Sequence, residues 1–280
     1  MFKYLFDLFL FTSCFIAGCA LLMVVQTNQL LHLQYDITGY LVFVFFSTLC
    51  SYNFHWYLSA DATSENARVQ WTQHHKILHL ALTAIGGGVS VWYFFHFIES
   101  WRWLAGSALL TFLYSAPKLR YGPFAWLSRI AVGKTVFLAF VWMYVTTFLP
   151  IAIDNHHWNT AALLFCVSRF LLIYAICIIF DYRDRDYDKQ AGIRSMITYF
   201  NEKGINNLFA FSLAGFAIST LLLYWYELSI LTIVLLLIPG GIVAALYKEA
   251  KKNFSDYLYY FVLDGLMMFS SLLTIFIPNK

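Results

Sequence analysis

The sequence predicts an all-α, polytopic membrane protein, and three observations carry that prediction. Hydrophobic residues make up 61% of the 280 positions and charged residues only 12%, about half the soluble average. Apolar runs close to the bilayer-spanning length of about 20 residues recur along the whole chain. Lys and Arg gather on alternate connections between those runs. The net charge is small, +3, and no nucleic-acid partner is expected. A sizeable soluble domain has no room, and residues 1–280 read as one transmembrane domain.

The first run, near residues 5 to 25, follows Lys3. Ile16-Ala17-Gly18-Cys19 has the look of a lipoprotein cleavage site, but Asp7 interrupts the apolar stretch and many spans follow, so it reads as a first transmembrane helix. Further spans are expected near 38 to 58 and 78 to 98. The fourth, 101 to 116, is short, opening at Trp101-Arg102-Trp103 and stopping at Pro117. Runs near 130 to 150, 160 to 180, 206 to 225, 229 to 247 and 257 to 277 complete a count of nine.

With the N-terminus inside, the cytoplasmic connections collect most of the basic residues, from Lys3 through Arg183, Arg185 and Lys189 to Lys252, while the opposite side holds only Arg102 and Lys280. This polarity places the longest loops, about 59 to 77 and 181 to 205, in the cytoplasm, and the expected location is a bacterial inner membrane. The cysteines, Cys14, Cys19, Cys50, Cys166 and Cys177, lie in apolar runs without ligand spacing and read as reduced thiols.

The stretch Asp181 to Ser195, DYRDRDYDKQAGIRS, carries the densest charge. If the preceding helix continues, Asp181, Asp184 and Asp188 fall within an arc of about 60°, and Asp186 points about 140° away. Carboxylates crowded on one face repel unless cations sit among them. An oxygen-only set suits Mg²⁺, which uses one or two carboxylates and completes its shell with water and substrate phosphates. The alternative is a solvated, salt-bridged helix end, since Arg183, Arg185, Lys189 and Arg194 are interleaved.

A second polar cluster, Tyr114-Ser115-Ala116-Pro117-Lys118-Leu119-Arg120, ends the fourth helix with two cations that either hold phosphate oxygens or anchor the helix at the interface. Lys134, Arg169 and Asp264 fall inside predicted spans, where ionisable groups seldom face lipid; Lys134 and Asp264 are the candidates for lining a polar cavity. His75 and His79, spaced i, i+4, lack an acidic third ligand and read as packing residues. Aromatic residues, 20% of the chain, exceed what interfacial belts demand; most are expected to face lipid or pack, and in a carbocation-forming enzyme such rings could shield an allylic cation.

Together these residues resemble the UbiA superfamily of intramembrane prenyltransferases. The strongest match is the second aspartate-rich motif, Asp181-x-x-Asp184-x-x-x-Asp188 followed by Gly192-Ile193-Arg194-Ser195. YSAPKLR at 114 to 120 is similar to the family's YSxPPxRLK-type segment, with Lys118 where a second proline is common. The first motif, NDxxDxxxD in the family, is here Asn53-Phe54-His55-Trp56-Tyr57-Leu58-Ser59-Ala60-Asp61: Asn53 and Asp61 match, and Phe54 and Tyr57 replace two aspartates.

The resemblance implies a cytoplasm-facing cavity in which Mg²⁺ holds an isoprenyl diphosphate through Asp181, Asp184 and Asp188, the catalytic and metal residues, with Asn53 and Asp61 opposite. Lys118, Arg120, Arg194, Asn53 and Tyr57 would bind substrate, and His55 or Tyr57 would stand in for the lost carboxylates. The expected reaction is Mg²⁺-dependent isoprenyl transfer to an aromatic or other lipophilic acceptor. The eroded first motif keeps a rival open, a non-catalytic protein of the same fold that binds a polyprenyl lipid or a partner. A transporter using Lys134, Arg169 and Asp264 is a third reading.

Overall fold

The computed structural model describes residues 2–59, 67–116, 134–154, 158–190, 195–226 and 228–277, and all regular structure among them is helical. Seven helices are long and apolar enough to cross a membrane. They are α2 (Cys14–Leu31), α3 (Ile37–Ser59), α5 (Lys76–His96), α7 (Lys134–Ile153), α8 (Thr160–Gln190, apolar as far as Asp186), α10 (Glu202–Leu222, continuing to Tyr226) and α11 (Ile230–Ala250). The fourth and last expected spans coincide with shorter helices, α6 (Trp101–Ser115) and α12 (Leu258–Thr274). By length and apolarity, the expected nine crossings are therefore not all met among the described residues.

The first expected span is broken. Helix α1 (Phe2–Phe11) stops before Ser13, which sits in the left-handed region at φ 66°, and α2 starts at Cys14. The polar groups exposed by the break are captured from other helices. Asn53 Nδ2 donates to Thr12 O at 2.9 Å, and Arg68 Nη2, from the short helix α4 (Ala67–His74), donates to Ser13 Oγ at 3.2 Å. A break in a bilayer is tolerated only where neighbours satisfy the freed backbone.

Helix α8 is the axis of the bundle. Its segment from Leu172 to Ile179 is buried almost completely, and it packs against both α7 and α10. At 31 residues it is about 46 Å long, well beyond the roughly 30 Å hydrocarbon core. The apolar helix thus runs on into the acidic stretch without a break. After it, Ser195 caps α9 (Met196–Tyr199) in a reciprocal capping box, and Asn201 caps α10. Helix α5 lies on the outside, with Ile77, Trp92 and Phe95 exposed as lipid-facing groups would be. It packs closely on α3 because Gly86 lets the backbones meet: a Cβ there would lie 2.7 Å from Phe46 O.

Candidate active site

Because α8 stays helical through residue 190, its carboxylates take the expected faces. Asp181 and Asp188 are buried, Asp184 is 41% exposed at its side chain, and Asp186 points outward. The start of α7 packs against this face. Thr135 Oγ1 donates to Asp181 Oδ2, and Lys134 Nζ lies 3.9 Å from Asp181 Oδ1 and 3.4 Å from Asp188 Oδ2. Two carboxylates thereby converge on one cationic point. Burial pushes the Asp188 carboxyl above its ordinary range, against the pull of Lys134.

Asp184 turns to a second cation. Arg183 Nε lies 2.9 Å from Asp184 Oδ1, and its Nη2 donates to the Tyr260 hydroxyl at 3.0 Å. The guanidinium also stacks near the rings of Tyr259 and Tyr260, at 4.5 and 5.1 Å. Tyr260 faces a second guanidinium as well: Arg68 lies 4.4 Å from its ring and 4.2 Å from that of Trp56. Asp264, one turn along α12, is within electrostatic range of both arginines and of Tyr52 and Cys177. It directly follows a π-helical turn, Leu258–Leu263, a local widening frequent at functional sites. The Tyr52 hydroxyl accepts from Trp142 Nε1, and His55 stacks on Tyr114, whose phenol is close to Lys134 and Asp181.

Three buried donors in or near the motif have no hydrogen-bond partner among the described residues, Arg183 Nη1, Arg185 Nε and the Tyr174 hydroxyl. Tyr174 lies within electrostatic range of Asp181. Such orphaned donors are what an anionic oxygen would satisfy. The donor set also fits Mg²⁺, since carboxylate oxygens converge where a cation already sits.

Not every expected residue joins the cluster. Asn53 is fully buried, with its amide committed to Thr12 O, Leu49 O and His79 Nδ1, the last at 2.6 Å. In this arrangement it holds α1, α3 and α5 together. Tyr57 is exposed. His75 stacks on Trp71, as a packing residue would. Arg169 is buried away from the motif, donating to Ser270 Oγ and Gln26 Oε1. Asp61, Lys118, Arg120 and Arg194 lie outside the described residues. Among those described, no three His, Cys, Asp or Glu side chains form a metal-binding group.

The sequence alone does not single out Thr135, Tyr174, Tyr259, Tyr260 or Arg68. Thr135 adjoins Lys134, and the tyrosine pair stands one turn before Asp264. Adjacency to an intramembrane charge is the signal that could have found them.

The model of the UbiA prenyltransferase family matches residues 68–263. A solved structure of a digeranylgeranylglyceryl phosphate synthase is 15% identical, with 98% of each chain covered and a TM-score of 0.59. A structure of a UbiA homolog from Aeropyrum pernix K1, described as apo, is 13% identical over 94% of each chain with a TM-score of 0.65. At these identities the likeness is one of fold. No curated protein matches the chain.

Proposed function

The chain belongs to the UbiA prenyltransferase family, and from that premise we propose that it transfers an isoprenyl group from an isoprenyl diphosphate to an aromatic or other lipophilic acceptor within the membrane. The observation that carries this reading is the convergence of Asp181 and Asp188 on Lys134, on the helix that also holds the orphaned Arg183 Nη1. In this proposal residues 1–280 form one domain of a bacterial inner-membrane protein, and the motif end of the bundle faces the cytoplasm.

Asp181 and Asp188 would hold Mg²⁺, with Asp184 next to them on the same helix face. The bound ion supplies Lewis-acid stabilisation of the diphosphate as it leaves the allylic carbon. Arg183 Nη1 donates to a diphosphate oxygen while Tyr260, Tyr259 and Asp184 fix the guanidinium. Lys118, Arg120 and Arg194, which follow the motif helices in sequence, add positive charge around the diphosphate. The aromatic residues Tyr52, Tyr114, Trp142 and His55 keep water from the allylic cation and stabilise it through their ring faces. Asp264 takes up the proton that the acceptor loses when its new bond to the isoprenyl carbon forms.

Reconstituted protein given a labelled isoprenyl diphosphate, an acceptor panel and Mg²⁺ should yield labelled product, and Asp188→Asn or chelation should abolish it. Asp264→Asn should slow transfer while leaving diphosphate binding intact. Transfer indifferent to both Asp188→Asn and chelation would overturn the mechanism. One observation favours a second reading, a non-catalytic protein that binds a polyprenyl diphosphate: Phe54 and Tyr57 stand where the family has aspartates, and Asn53 is consumed by packing. Tight diphosphate binding with no turnover on any acceptor would decide for it.

A further inference from the structure

Lys134 is built into the acidic face. It is the first residue of α7, its neighbour Thr135 is hydrogen-bonded to Asp181, and its ammonium touches the carboxylates of both Asp181 and Asp188. Exposure within the trio is uneven. The Lys134 side chain is 32% exposed, against 9% for Asp181 and 4% for Asp188. The ammonium-bearing side chain is thus the most exposed of the three. In the first motif, on α3, positions 54 and 57 are Phe and Tyr, and the Asn53 amide is spent on Thr12, Leu49 and His79. Among the described residues of that motif, 53 to 59, no side chain is a carboxylate that could gather a second divalent ion.

We propose that Lys134 is a permanent cation of the diphosphate site, supplying positive charge that a second divalent ion would otherwise bring, so that the site takes a single Mg²⁺ with its diphosphate. The inference rests on the prenyltransferase reading above and deepens it. Lys134 balances charge and competes for the carboxylates; the metal binds with Lys134 still in place. Removing a unit charge about 3.5 Å from a carboxylate at an effective dielectric near 20 frees attraction worth far more than tenfold in affinity, and even after loss of local order about tenfold tighter cation binding is expected.

The test uses the full chain in nanodiscs, Mn²⁺ as the spectroscopic substitute for Mg²⁺, and inorganic pyrophosphate as the probe anion. Electron paramagnetic resonance counts the ions bound to the parent protein at saturating pyrophosphate. A single Mn²⁺ supports the proposal; two, or none, overturn it, and this count needs no variant to fold. In the absence of pyrophosphate, Lys134→Met should bind Mn²⁺ about tenfold more tightly and Lys134→Arg as the parent does. Unchanged or weaker binding by a folded Lys134→Met overturns the proposal. Failure of the prenyltransferase reading itself shows differently, as an absence of pyrophosphate and isoprenyl diphosphate binding in parent and variant alike.

Discussion

Substituting Asn53 by alanine separates a structural role from a ligand role. Its side chain makes two bonds between helices, Nδ2 to Thr12 O at 2.9 Å and Oδ1 from His79 Nδ1 at 2.6 Å, and one along its own helix to Leu49 O at 2.8 Å. Interhelical hydrogen bonds in membrane proteins contribute about 0.6 to 1.7 kcal/mol each, so the two together amount to about 1–3 kcal/mol. His79 is fully buried and its Nε2 has no partner among the described residues, so the variant strips the imidazole of its remaining bond. Leaving a buried donor unsatisfied costs about 1–3 kcal/mol more. Some relaxation around the small cavity brings the expected loss to about 2–4 kcal/mol. It is measurable as a shift in the SDS-unfolding midpoint of the detergent-solubilised protein. Divalent-cation affinity of the fraction that stays folded should match the parent. The reasoning fails if Asn53→Ala is as stable as the parent yet binds cation less tightly, because the amide would then be a ligand whose packing bonds carry no stability.

Two further outcomes are expected. Gly86→Ala should destabilise by about 1–3 kcal/mol in the same assay, because its Cβ would meet Phe46 O at 2.7 Å and Cys50 N at 3.0 Å, backbone atoms that cannot swing aside. Gly88→Ala, with nothing within 4 Å, serves as the neutral control. At the bundle end away from the motif, Asp36 accepts from Gly39 N at 2.9 Å and pairs with His96 Nε2 at 2.8 Å, and the Gly39 bond first and His96 second hold its carboxyl below the ordinary range. Its contribution to stability is therefore complete above the ordinary carboxylate pKa of about 3.9 and is lost as pH falls through the lower folded-state value. Both side chains are about half exposed, so the effect is small. Melting curves taken between pH 5 and 3 should fall less steeply for Asp36→Asn than for the parent, and parallel slopes would contradict this.

The sequence by itself determined the membrane class, most of the helices and the orientation of the acidic face. Those depend on local quantities: apolar run length, the 100° advance per residue that places Asp181, Asp184 and Asp188 together, and the breaks at polar or proline-rich connections. The family was legible for the same reason, because the second motif is contiguous in the chain. Tertiary structure alone decided which groups meet. Lys134 and Asp188 are 54 residues apart, Arg183 and Tyr260 are 77 apart, and nothing in either local stretch specifies its partner. It decided that Asn53, matched to a ligand position by its motif, is occupied by Thr12 O and His79. It also broke the first span at Ser13, where local apolarity predicted a continuous helix. In each case a buried polar group, denied water by the bilayer, took the partner that packing brought within reach.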